Sequence, residues 1–318
     1  VAGWAGGTPG CAGVRNAGLS RRDSRSVGNP RHDRRINSLE CGGWPPLSKR
    51  RLACAIQNRS SRECLAMTNN ERDSMAPPSP SRRLLYRAYN RAIGRVRSNA
   101  ALHCRLSGYR PVPGSELLGP YWDWTTLALR NALRDYLRPE HSFLDMGTGS
   151  VAVLSLFAHL STGCRAIVAT DHIPEVLASA RKNAVAVKAP AEFRQSDLFA
   201  SVSERFDVIA FNAPYLDVDT ARELGIIGDT MSETRFSGGK GGGEIIARFL
   251  ADAPDHLNPD GKILLGVNHY HIGRGTVREA IERSRLDLET CVRNRLTGSA
   301  VYVLHVGRRA HGYAEQTP

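Results

Sequence analysis

From His141 to Val306 the chain alternates strand-like runs with amphipathic helical ones, and this alternation constrains the fold more than any other feature. The strand-like runs are Ser142–Met146, Ala166–Thr170, Glu192–Gln195, Phe206–Phe211, Lys262–Val267, Leu286–Arg293 and Ala300–Val306. Helical runs at Val151–Leu160, Pro174–Val187, Gly243–Leu257 and Thr276–Arg285 fall between them. Such a pattern predicts an α/β fold, a doubly wound and mostly parallel sheet with helices on both faces. The last two strand-like runs are joined by Leu296-Thr297-Gly298-Ser299, which predicts an antiparallel hairpin at the sheet's edge.

Upstream the alternation fails. Residues 1–80 mix Gly, Arg, Ser, Asn and Pro with no sustained period, so they bury too little apolar surface to offset their ordering entropy. They are read as a disordered or non-native N-terminal extension. Val1 is not a methionine, and Met75 precedes Ala76-Pro77-Pro78, so one hypothesis starts the natural protein at Met75; an intact mass from native material beginning earlier would sink it. Residues 81–120 form a basic helical arm and linker, 121–310 the main domain, and 311–318 a C-terminal tail. Within the main domain, Trp122 to Leu137 has helical spacing, with Asp123 near its start as a cap.

Charge follows the same division. The net charge is +12, yet residues 111–318 hold 22 Lys/Arg against 25 Asp/Glu, while 81–110 hold 8 Arg and no acid. A uniformly basic nucleic-acid-binding core is excluded; the arginine arm either contacts substrate phosphates or docks as a solvated helix. Seven cysteines without a C-x-x-C pair argue against a zinc site and a disulfide framework. No apolar run is long enough to span a bilayer, and no secretory signal is visible, so a cytoplasmic setting is expected.

The densest local signal is Phe143-Leu144-Asp145-Met146-Gly147-Thr148-Gly149-Ser150, a strand delivering an acid and two spaced glycines into a helix. A carboxylate at Asp145 would repel a pyrophosphate but accept from the ammonium of a methionine-like zwitterion, which favours S-adenosylmethionine over a dinucleotide. Gly147, Thr148 and Gly149 would let backbone approach that ligand. Asp171 ends the second strand, where a carboxylate accepts from ribose hydroxyls. Asp197 follows the third and could accept from the adenine amine, with Leu198 or Phe199 against the ring.

After the fourth strand comes Asn212-Ala213-Pro214-Tyr215. An amide or aromatic amine is a poor nucleophile because its lone pair is delocalised, so its NH2 must be held in line with the methyl donor. Asn212 can accept one N–H through its side-chain oxygen, the Ala213 carbonyl the other, and Tyr215 offers a flat face. Pro214 pushes Ala213 towards an extended conformation that aims this carbonyl. Together with Asp145–Ser150, Ser196–Phe199, Phe236-Ser237-Gly238-Gly239 and Ala253–Gly261, this motif resembles the class I S-adenosylmethionine-dependent methyltransferases carrying an Asn/Asp-Pro-Pro-Tyr motif. The resemblance, over about Tyr121 to Asn268, is closest to the release-factor glutamine N5-methyltransferase family. It implies a Rossmann-like seven-stranded sheet of order 3-2-1-4-5-7-6 and N-methylation. Ala213 departs from the family's first proline, and Val151 stands where a third glycine is common.

The expected activity is methyl transfer to a planar nitrogen, preferably a protein glutamine side chain, with a translation release factor as one such partner. The alternatives are an exocyclic amine of an RNA or DNA base, a small-molecule amine, and a non-catalytic S-adenosylmethionine-binding module. No metal and no membrane are expected. His269 and His271 are read as more structural than catalytic, and Gly238–Gly243 as a mobile substrate loop rather than a phosphate loop, since the Walker spacing is absent.

Overall fold

The computed structural model describes residue 88 and residues 92–223 and 236–307. The extension read over 1–80 and the tail over 311–318 lie outside them. In chain order the elements are α1 (Ala100–Ser107), α2 (Trp124–Tyr136), β1 (Ser142–Met146), α3 (Val153–Phe157), β2 (Ala166–Asp171), α4 (Pro174–Val187), β3 (Ala191–Gln195), β4 (Phe206–Asn212), α5 (Val218–Glu223), α6 (Glu244–Asp252), β5 (Leu257–Asn268), α7 (Arg274–Glu282), β6 (Leu286–Arg293) and β7 (Ser299–Val306).

Alternate side chains of the central strands enter opposite apolar layers. Phe143, Val208, Ala210, Leu264, Val301 and Val303 pack with Leu129 and Leu133 of α2 and Phe157 of α3. Their neighbours Leu144, Ile209, Phe211, Ile263, Leu265 and Leu304 pack with Phe249 of α6 and Val277 of α7. A strand apolar in both phases needs cover on both faces, which the alternating helices supply. Each fully buried leucine among these contributes roughly 2–3 kcal/mol.

The sheet order is β3-β2-β1-β4-β5-β7-β6. Pairing is parallel from β3 to β5 and antiparallel for β5 with β7 and β7 with β6. The predicted edge hairpin is therefore present, its turn closed by Gly298 at φ +73°. The chain leaves β1 towards β3 and returns to lay β4 on the other side of β1. That reversal opens a crevice at the carboxyl ends of β1 and β4.

Several boundaries differ from the pattern: β5 begins at Leu257 rather than Lys262, α7 runs over Arg274–Glu282 rather than Thr276–Arg285, and two helices are shorter than read. The run read as one helix over Gly243–Leu257 ends at Asp252 and continues as a 3-10 turn, Ala253–His256, because Pro254 has no N–H to extend the ladder. The run at Val151–Leu160 is α-helical only over Val153–Phe157 and passes into a π turn, Ala158–Thr162, capped by Gly163. Val151 itself is buried against Tyr121 and Trp122, while the left-handed backbone falls on Ala152 at φ +49°.

The described part of the arm docks on the domain. Leu102 and Leu106 of α1 pack on Tyr121, Trp122 and Val153, and His103 is wholly buried between Tyr109 and Tyr121. Arg95, Arg105 and Arg110 are exposed. Cys104 is disulfide-bonded although the spacing argued against a disulfide framework, and Cys164 and Cys291 are buried. Among the described residues no helix is long and apolar enough to cross a membrane.

Candidate active site

At the carboxyl ends of β1 and β4 lies a cleft of about 1480 Å³. Asp145, Gly147, Thr148, Gly149, Asp171, Asp197, Leu198, Asn212, Ala213, Pro214 and Tyr215 all line it. Residues spread over 71 positions are thus gathered by the strand order alone.

Asp145 sits at the floor, 1% exposed. Its Oδ2 accepts from Thr148 Oγ1 at 2.7 Å, Ser155 N at 3.0 Å and Ser155 Oγ at 2.6 Å, so the acid also ties the glycine loop to α3. Oδ1 has no partner. Burial raises the pKa to about 6, against the lowering effect of these hydrogen bonds. Thr148 lines the cleft as expected of a loop position, and its hydroxyl donates to Asp145. Gly147 and Gly149 have φ of +65° and +70°, which side-chain-bearing residues rarely adopt. A Cβ on Gly147 would also stand 3.2 Å from the Phe211 ring.

Asp171 holds the same loop from the β2 side. Its Oδ2 accepts from Gly149 N at 3.1 Å and its Oδ1 from Ile173 N at 3.1 Å. Asp197 is more open: its side chain is 63% exposed and pairs with Arg248 at 2.8 Å. The pairing leaves only part of that carboxylate for a ligand. Of the two apolar candidates beside it, Leu198 lines the cleft at φ +48°, whereas Phe199 is stacked on Phe249 and His256.

Asn212 ends β4. Its Nδ2 donates to Asp123 Oδ2 at 3.2 Å and to Thr126 Oγ1 at 3.0 Å, while its buried Oδ1 has no partner. Asp123 is at the same time the N-cap of α2, accepting from Thr126 N at 2.6 Å. The sequence revealed the cap but not the contact with Asn212, because residues 89 apart meet only through packing. That packing is close: a Cβ on Gly266 of β5 would stand 2.6 Å from Leu129 Cδ1 and 2.8 Å from Thr125 Cγ2.

Beyond Asn212 the cleft is aromatic. Tyr215 and His271 lie nearly parallel, 12° apart with centroids 6.2 Å apart. Trp122 and Trp124 meet edge-on on another wall, and neither was singled out from sequence. His271 is held neutral by burial and by Arg97, its pKa lowered to about 4. Its neighbour His269 instead bridges Ile272 O and Tyr302 Oη, so the two histidines divide between site and scaffold.

The glycine-rich segment is not a free cap. Leu216 N donates to Phe236 O and Gly238 N to Leu216 O, joining the segment to the backbone just after Tyr215. A Cβ on Gly238 would come within 2.8 Å of Tyr215 Cα, and one on Gly242 within 2.3 Å of the Tyr215 carbonyl oxygen. The glycines at 238 and 242 serve close backbone approach to Tyr215.

The site is acidic, with Asp123, Asp145, Asp171 and Asp197 facing one arginine of the arm, Arg97. Two buried acceptors without donors, Asp145 Oδ1 and Asn212 Oδ1, suit a ligand that brings N–H groups, as the ammonium of S-adenosylmethionine and an acceptor NH2 would. No cluster fit to hold a metal occurs among the described residues.

Residues 122–232 match the family model described as Methyltransferase small domain. A protein assigned as N5-glutamine methyltransferase in Methanocaldococcus jannaschii is 33% identical over 120 residues, covering 38% of this chain and 57% of that one. The ribosomal protein uL3 glutamine methyltransferase of Bradyrhizobium diazoefficiens is 32% identical, covering 45% and 46%. The release factor glutamine methyltransferase of Streptococcus pneumoniae is 32% identical, covering 43% and 49%. The chain thus spans about half the length of the curated relatives it matches. A methyltransferase structure from Pyrococcus furiosus aligns at 22% identity and a TM-score of 0.48, covering 71% of this chain and 98% of that one. Over residues 122–232 the chain is similar to the Methyltransferase small domain, and its relatives include protein-glutamine N5-methyltransferases.

Proposed function

We propose that the protein transfers a methyl group from S-adenosylmethionine to the side-chain amide nitrogen of a protein glutamine. The observation that carries this reading is the unpartnered, buried Asn212 Oδ1, an acceptor at the mouth of the cofactor-type loop with both of its amide protons already engaged. The glutamine preference is supported by the names of the relatives, which include release-factor and ribosomal-protein glutamine methyltransferases. Exposed Trp124, Tyr270 and Leu296 at the cleft give a polypeptide an apolar surface to rest on.

When bound, S-adenosylmethionine supplies an electrophilic methyl group on a sulfonium centre. Asp145 Oδ1 would accept from its ammonium, Asp171 from its ribose hydroxyls and Asp197 from its adenine amine, with Leu198 beside the ring. On the acceptor side, Asn212 Oδ1 would take one N–H and the Ala213 carbonyl the other, fixing the rotation of the NH2 group. Tyr215 would hold the amide plane. No histidine base is required, because the nitrogen's proton becomes acidic only as nitrogen gains positive character.

The test is incubation of the protein with methyl-labelled S-adenosylmethionine and extract of its source cell, with Asn212→Ala as control. Label absent from the control and released by protease supports the glutamine reading. Label released by nuclease moves the acceptor to a base amine, and no label in any fraction would refute methyl transfer.

A further inference from the structure

We propose that Asp123 is a positioning residue for Asn212, holding the amide so that Oδ1, and not Nδ2, faces the acceptor nitrogen. The inference rests on the methyl-transfer reading of the cleft. An asparagine amide has two ends of similar shape, one that accepts and one that donates. Turned the wrong way, it would set its own N–H against the N–H of the acceptor.

Asp123 decides the orientation because an ionised carboxylate only accepts. Its Oδ2 and Oδ1 lie 3.2 and 3.5 Å from Asn212 Nδ2, and Thr126 Oγ1 takes the second amide proton at 3.0 Å. Oδ1 is then the end left for the cleft, and it is buried and unpartnered. Asp123 is itself fixed. It caps α2 through Thr126 N at 2.6 Å, and Arg97 Nη2 stands 4.0 Å from its Oδ2. Arg97 is anchored by donating from Nε to Trp122 O at 2.7 Å. The basic arm thereby reaches the reacting centre through Asp123 rather than by meeting a phosphate, and a helix cap acquires a second task.

Asp123→Asn separates the two tasks. Asparagine caps a helix about as well as aspartate, but it can turn an NH2 towards Asn212 and so free the Asn212 amide to flip. With labelled S-adenosylmethionine and the protein fraction of source-cell extract as acceptor, the maximal rate should fall about 10- to 100-fold. Cofactor Kd, the half-saturating extract concentration and the melting temperature should stay as in the parent. An unchanged maximal rate would overturn the proposal, as would a loss confined to half-saturation or accompanied by a lower melting temperature.

The orientation is also read without turnover, from the Asn212 side-chain NH2 signals in a nitrogen-15 spectrum, assigned by their loss in Asn212→Ala. In the parent this pair should exchange slowly, and in Asp123→Asn it should shift and exchange faster. Identical signals in the two proteins would overturn the proposal. A shifted pair in a protein that transfers no methyl group would uphold the orientation and remove the methyl-transfer reading instead.

Discussion

His103 offers a direct test of how the arm is held. Its ring is wholly buried, edge-on to Tyr109 and Tyr121, and neither ring nitrogen has a hydrogen-bond partner. Burial, reinforced by Arg130, lowers its pKa from 6.5 to about 4. The unfolded chain therefore binds more protons than the folded one between those values. The stability that the neutral ring contributes is complete above 6.5 and is lost as pH falls towards 4. Linkage makes the loss about 2 kcal/mol between pH 7 and pH 5, and about 3 kcal/mol by pH 4. His103→Phe keeps an aromatic ring between the two tyrosines and removes the titration; any packing cost it carries is the same at every pH. Urea unfolding of parent and variant at pH 7 and pH 5 measures the effect, with equal slopes as the check on two-state behaviour. The parent should lose about 2 kcal/mol more than the variant over that interval. Equal losses in the two proteins would refute a neutral, buried His103.

Three further variants probe the cleft. Asn212→Ala should lower methyl-transfer turnover about 100- to 1000-fold, as loss of an oriented hydrogen-bonding group at a reacting centre does, with cofactor affinity retained; calorimetric titration and labelled turnover check both halves. Asp171→Ala should weaken S-adenosylmethionine binding by roughly 10- to 100-fold, since it removes both the proposed ribose acceptor and the anchor of Gly149 N, and an unchanged Kd would move the ribose elsewhere. Gly242→Ala should push the Tyr215 carbonyl away, because the new methyl would begin 2.3 Å from that oxygen. Turnover should then fall while cofactor binding persists, and parental turnover would show that the loop yields.

Much of the fold was legible because strand and helix signals are local. Ser142–Met146, Pro174–Val187 and Leu286–Arg293 coincide with β1, α4 and β6, each being set by its own periodicity and its flanking turn residues. The acids after successive strands were legible for a related reason. In a parallel sheet all carboxyl ends lie on one edge, so position in the chain predicts position in space. Proline effects were misjudged at Pro254, where a continuous apolar pattern concealed a missing donor.

The linear order of residues determined the alternating layers, the glycine loop after β1, and the placing of Asn212 at the end of β4, because each depends on a few neighbouring side chains and on backbone sterics. Tertiary structure decided the rest. It chose Leu198 over Phe199 for the cleft and spent the Thr148 hydroxyl on Asp145. It turned the glycines at 238 and 242 into a seat for the Tyr215 backbone, and it set Asp123 against Asn212. These are contacts between segments brought together by sheet order and by the close seat of α2 on Gly266. A contact of that kind depends on the distance between two surfaces, which no periodicity within either segment encodes.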